Sequence, residues 1–158
     1  MVKDTNSLKK LKFFSKFTDD GIKAVGEIIS EVDYIAGKQI FTEGEEGHTL
    51  YIILDGEVKV TKKDHQGNDQ VLTLLKDGDI FGEMSFLDER PHSATITAIK
   101  NSRIYQIEKP EFDRFVDKHP KAAYKVMKNI VFQVDSIVRR MNAAHVDMIS
   151  YMFGRSRF

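Results

Sequence analysis

Gly78-Asp79-Ile80-Phe81-Gly82-Glu83-Met84-Ser85-Phe86-Leu87-Asp88-Glu89-Arg90-Pro91-His92-Ser93-Ala94-Thr95 is the stretch that decides how this chain reads. It sets two glycines, an acid and a short apolar run before a polar turn, between strand-like flanks. Gly82 lets the backbone approach a ligand closely, because no Cβ stands in the way. Glu83 follows at once and can accept a hydrogen bond from a hydroxyl. The run Glu83 to Leu87 is long enough for about one helical turn, whose free N–H groups favour an anion. Ser93 and Ala94 are small and follow a turn, so their N–H groups can also face a phosphate. An acid suited to a sugar hydroxyl beside donors suited to a phosphate describes a nucleotide pocket.

The same residues resemble the phosphate-binding cassette of the cyclic nucleotide-binding domain family. That family includes the catabolite activator protein, protein kinase A regulatory subunits and cyclic nucleotide-gated channels. Its pattern is Phe or Ile followed by Gly-Glu-Leu, a short turn, then Arg, Ser or Ala, Ala and Thr. Here it reads Phe81-Gly82-Glu83-Met84 and His92-Ser93-Ala94-Thr95. A second family signature lies upstream, Ile40-Phe41-Thr42-Glu43-Gly44-Glu45-Glu46-Gly47, running into Leu50-Tyr51-Ile52-Ile53-Leu54-Asp55-Gly56-Glu57-Val58. Two signatures in the right order make the resemblance specific for the fold, over roughly residues 8 to 150.

The resemblance implies a non-covalent ligand, cyclic AMP or cyclic GMP. It implies that Glu83 holds the ribose 2′-hydroxyl and that Phe81, Gly82 and Met84 line the pocket. Ser93 and Ala94 donate to the cyclic phosphate, and Thr95 closes the motif. Most ligand-binding members carry Arg before the small pair, where its planar fork grips the phosphate bidentately. This chain has His92 there. Histidine has fewer donors, no fork and a charge that changes around a pKa of about 6.5. Arg90, two residues earlier, is the other candidate for the phosphate, if the turn swings it inward. The resemblance also implies a long helix over the base. Its base-reading positions fall near Ile137 and Val138, which are apolar, with Ser136 the nearest hydroxyl, so no base preference carries over.

Outward from the cassette, the period of the apolar residues changes twice. Leu8, Leu11, Phe14 and Phe17 recur at helical spacing between lysines, predicting a short amphipathic helix. Thr18 is placed to cap a second helix, with Asp19 and Asp20 in its first turn and Ile22, Val25, Ile28 and Ile29 on one face. From Val32 the pattern alternates. Thr49 to Leu54 is apolar on both faces and reads as a central strand, and Asp55-Gly56 reads as a hairpin turn. Val58 and Val60 mark the next strand, residues 64–69 an exposed loop, and Val71 to Leu75 another strand. Residues 94–98 and 103–107 close the series. Many short strands with frequent turns predict a mainly β fold, an antiparallel barrel or jelly roll of about eight strands with flanking helices. The expected division is 1–31 for N-terminal helices, 32–108 for the β-barrel with the cassette at 78–95, and 109–158 for C-terminal helices.

Pro110 suits the first turn of a helix, with Phe112, Phe115 and Val116 on its buried face, and His119-Pro120 breaks it. A long helix follows from about Lys121 to Tyr151. Its apolar residues Met127, Ile130, Val134, Ile137, Met141, Ala144, Met148 and Tyr151 step by three and four alternately. That is the coiled-coil period and predicts a homodimer through this helix; the same stripe also suits a helix packed on its own domain. Gly154 to Phe158 reads as a C-cap and frayed end.

The bulk numbers narrow the classes. The 158 residues suit one domain, and 24 basic against 24 acidic residues give no electrostatic footprint for nucleic acid. No apolar run is long enough to span a membrane, and Met1 to Phe14 lacks a leader's apolar core. The absence of cysteine excludes a disulfide scaffold and suits a cytoplasmic location. No enzymatic constellation is evident: His48, His65, His92, His119 and His145 are scattered, without the pair a cupin metal site needs. A helix-turn-helix for DNA has no room between the long helix and Phe158. Two functions remain open. One is a cyclic nucleotide sensor that passes its signal to the long helix and an unknown downstream protein. The other is a degenerate relative without a nucleotide ligand, acting as a dimerising interaction module.

Overall fold

Apolar residues three apart at the N-terminus pack without making one continuous helix. The computed structural model describes residues 5–154. α1 (Thr5–Lys10) stops before Leu11, whose backbone is extended, and a 3-10 turn follows at Lys12–Phe14. Leu8, Leu11, Phe13 and Phe14 are all buried. A spacing of three matches the 3-10 period as well as the helical one, so the stripe survives the break that sequence reading did not foresee. Thr18 caps α2 (Asp19–Gly26), its Oγ1 accepting the Gly21 N–H at 3.2 Å.

Ile28 and Ile29, expected on that helix, lie beyond it. Ile29 opens β1 (Ile29–Tyr34) and sits opposite Ile107. The other strands are β2 (Gln39–Phe41), β3 (Thr49–Asp55), β4 (Glu57–Lys63), β5 (Asp69–Lys76), β6 (Ile80–Phe81), β7 (Thr95–Ala98) and β8 (Ser102–Glu108). They form two four-stranded antiparallel sheets, ordered β1-β8-β3-β6 and β2-β7-β4-β5. Among the described residues no strand pairing joins the two sheets. Of the expected barrel or jelly roll, the eight strands take the jelly-roll form.

The hairpin expected at Asp55-Gly56 is corrected. β3 and β4 do not pair, so this is a crossing between sheets and not a hairpin. Gly56 has φ +119°, and a Cβ there would lie 2.2 Å from Ser102 Oγ. Its N–H donates to Asp77 Oδ1 at 2.9 Å. β3 is central, as its two apolar faces predict. Leu50 and Ile52 join one core with Phe86, Phe112, Val126 and Ile130, while Ile53 joins a second with Val58, Ile96 and Ile104.

Pro110 occupies the first turn of α4 (Lys109–Lys118), which buries Phe112 and Phe115 but leaves Val116 exposed, contrary to its expected place on the buried face. α5 (Pro120–Gly154) begins after the break at His119. Ala123, Val126 and Ile130 are buried, and Met127, Val134 and Ile137 pack partly on the body. Every side chain described from Asn142 to Phe153 is exposed, so the last third of α5 runs clear of the body. The expected frayed tail at 155–158 lies outside the described residues. No helix among the described residues is long and apolar enough to cross a membrane.

Candidate functional site

The cassette folds around one glycine. β6 ends at Phe81, Gly82 turns the chain at φ +73°, and α3 (Glu83–Asp88) begins at the next residue. A Cβ on Gly82 would meet Thr49 O at 2.6 Å and the Tyr51 ring at 2.8 Å. Both the left-handed backbone and the space demand glycine here. The turn brings Glu83 and Met84 to the rim of a cavity of about 400 Å³, within the range of small-molecule pockets. Phe81, Gly82, His92, Ser93 and Ala94 line it as well. Burial pushes the Glu83 carboxyl above the usual carboxylate range, and a hydrogen bond from its own backbone N–H partly offsets this.

His92 does not stand free in the cavity. Its side chain is only 6% exposed. The ring stacks on Phe41 with centroids 3.6 Å apart and planes 9° from parallel. Its Nδ1 lies 3.1 Å from Ser85 Oγ. On its far side the ring leans on Gly47, where any Cβ would fall 1.9 Å from Nε2. Burial lowers its pKa, against the pull of Glu45, and nearby His48 lowers it further. This favours neutral imidazole, so a standing positive charge at His92 is not what the site offers a phosphate.

The upstream signature serves as the cradle for this arrangement. His92 N–H donates to Glu45 O, and His92 O accepts from Gly44 N–H, both at 2.8 Å. Thr95 Oγ1 accepts the Glu43 N–H at 2.9 Å. Thr95 is buried and is not among the cavity's lining residues, so its role here is to tie the two signatures together.

Arg90 stays outside. Its side chain is 83% exposed, its Nε lies 3.8 Å from Asp88 Oδ2, and it does not line the cavity. Asp88 Oδ1 accepts the Arg90 N–H at 3.0 Å within a local turn on the surface.

One feature escaped the sequence reading. Lys62 of β4 lines the cavity, and its Nζ donates to Ser93 O at 2.8 Å and lies 3.3 Å from Glu43 Oε1. Thr61 sits opposite Thr95 in the β4–β7 ladder, which carries Lys62 alongside the small pair. The inner face of α5, where the resemblance put the base-reading positions near Ile137 and Val138, forms an apolar wall of Val134, Ile137, Val138 and Met141. α5 is fastened to the start of the cassette: Gln133 Nε2 donates to Gly78 O at 3.1 Å, and Arg140 reaches Asp79 Oδ2 at 3.0 Å.

Residues 31–119 match the family model of the cyclic nucleotide-binding domain. The chain is 27% identical over 142 residues to a CRP-like cAMP-activated global transcriptional regulator of Mycobacterium tuberculosis, covering 90% of this chain and 62% of that protein. It thus spans less than two thirds of that relative's length. A solved cyclic nucleotide-binding domain from Methylobacillus flagellatus shares the fold, with a TM-score of 0.81 at 24% identity over 91% of this chain and 81% of that one. The regulatory subunit of a cAMP-independent protein kinase A from Trypanosoma brucei aligns with a TM-score of 0.68 at 26% identity, over 81% of this chain and 46% of that one.

Proposed function

The chain belongs to the cyclic nucleotide-binding domain family, and on that premise we propose that it is a regulatory domain whose cavity takes cyclic AMP or cyclic GMP and whose α5 carries the signal outward. One observation carries the reading: Gly82 sets Glu83, Ser93 and Ala94 around a single cavity roofed by α5. In this reading Glu83 accepts from the ribose hydroxyl. The N–H groups of Ser93 and Ala94 face the phosphate, and the base lies against the apolar wall of Val134, Ile137, Val138 and Met141.

The wall and the two fastenings to Gly78 and Asp79 make α5 the element that feels the ligand. Filling the cavity changes how α5 packs, and the exposed last third of the helix transmits the change. Beyond the wall, His145, Met148 and Met152 step by three and four along it, a coiled-coil seam for a second copy. This seam keeps Met148 but takes His145 and Met152 where the one expected from sequence had Ala144 and Tyr151, while Ile130, Val134 and Ile137 pack on their own body.

A second reading is favoured by the buried, neutral His92: a relative whose pocket no longer takes a cyclic nucleotide and which works as a dimerising interaction module. Isothermal calorimetry with cyclic AMP and cyclic GMP separates the two. Saturable heat supports the sensor, and no heat from either nucleotide supports the module.

A further inference from the structure

The phosphate of a cyclic nucleotide carries one negative charge, yet the residue that answers it by charge in the family pattern is here a stacked histidine. Among the described residues lining the cavity, Lys62 alone is a lysine or arginine. It reaches the site from β4, a different strand from the cassette. Its Nζ is held on two sides, by Ser93 O at 2.8 Å and Glu43 Oε1 at 3.3 Å. An ammonium has three N–H donors, so one is left over. Ser93 is also the residue whose N–H faces the phosphate in the proposed function, so Lys62 is fastened to a member of the small pair itself. Glu43 is itself fixed: Oε2 accepts the Lys63 N–H at 3.1 Å, and its own N–H donates to Thr95. The side chain of Lys62 is 48% exposed.

Resting on the cyclic nucleotide reading, we infer that Lys62 supplies the positive charge for the ligand's phosphate in this chain, with Glu43 as the residue that positions it. The arrangement also sets which phosphates suit the site. Lys62 shares its charge with Glu43, and Glu83 adds a second acid to the cavity. One lysine and two acids in the site answer a singly charged phosphodiester and discriminate against a doubly charged terminal phosphate.

Calorimetry on the wild-type chain and on the Lys62→Met and Lys62→Arg variants tests this, with cyclic AMP, cyclic GMP, adenosine 5′-monophosphate and adenosine as probes. Thermal melting confirms that each variant is folded. A charge-assisted hydrogen bond corresponds to about a ten- to hundred-fold change in affinity. Lys62→Met is expected to weaken either cyclic nucleotide by that factor, with Lys62→Arg recovering most of the loss. Adenosine, lacking a phosphate, is expected to respond equally in all three proteins, and the monophosphate to bind wild type less tightly than the cyclic form. Wild type binding a cyclic nucleotide with Lys62→Met unchanged would overturn the assignment of Lys62 and leave the proposed function intact. Wild type binding none would overturn both.

Discussion

Gly82→Ala is the perturbation whose cost the structure specifies most closely. Two terms contribute. Alanine at φ +73° sits in the left-handed region, at a cost of about 1–2 kcal/mol. The added methyl then meets Thr49 O at 2.6 Å and the Tyr51 ring at 2.8 Å. The Tyr51 ring is stacked on Phe81, 4.7 Å away and 3° from parallel, so it has little freedom to retreat. Thr49 O is backbone of β3, which is paired on both sides by β8 and β6. Overpacking of this kind costs a further ~1–3 kcal/mol. Gly37 provides the control, because it has φ +86° with nothing within 4 Å of its virtual Cβ. Gly37→Ala therefore meets only the conformational term, which the loss of unfolded-chain entropy reduces by about 0.4–1 kcal/mol. Urea denaturation of both variants is expected to show Gly82→Ala less stable than Gly37→Ala by about 1–3 kcal/mol. Its cavity should suffer too, since Glu83 and α3 begin at the displaced residue. Equal losses in the two variants would refute the claim that close packing against β3, and not backbone conformation alone, demands glycine at position 82.

Two further outcomes follow from the site and from α5. The folded-state pKa of His92 lies below its ordinary value of about 6.5, so the unfolded chain binds more protons between the two values. Its contribution to stability is therefore complete above the unfolded pKa and is lost as pH falls through the folded one. His92→Phe should keep the stack on Phe41 and flatten that acid limb in denaturation curves, whereas an unchanged limb would remove His92 as its cause. On α5, Met148→Glu with Met152→Glu should give a folded monomer in light scattering where wild type is a dimer, and a wild-type monomer at high concentration would contradict the seam.

The strands and the cassette were legible in the sequence because their signals are local. Gly82 before an acid, a two-faced apolar run at Leu50 to Ile53, and the Pro110 and Pro120 punctuation each act within a few residues. What escaped depends on contacts distant along the chain. Asp55-Gly56 has the chemistry of a hairpin turn, and only the packing of Gly56 on Ser102 shows that the chain is changing sheets. Ile29 continues the helical stripe in sequence but is taken by the ladder to Ile107. Lys62 reads as an ordinary exposed residue of an alternating strand until β4 lies beside β7. The α5 stripe fits two partners equally well on period alone. The body claims Ile130 and part of Val134 and Ile137, which moves the free seam round the helix. At position 92 the departure from the family pattern was visible, but its consequence was not. Phe41, Gly47 and Ser85 together make the pocket that holds the ring, and no spacing rule reports such a three-part contact.

The central claim is that Glu83 and the small pair around it hold a cyclic nucleotide, and calorimetry of wild type and Glu83→Gln across pH tests it most directly. The hydroxyl of a ribose donates to carboxylate, so binding favours ionised Glu83, whose pKa burial has raised above its usual range. Wild-type affinity for cyclic AMP or cyclic GMP is therefore expected to weaken as pH falls through that raised pKa. Glu83→Gln is expected to bind about ten-fold more weakly at neutral pH, the order of one hydrogen bond to a charged group, with that pH dependence lost. No heat from wild type with either nucleotide, or full affinity retained by Glu83→Gln at every pH, would contradict the account.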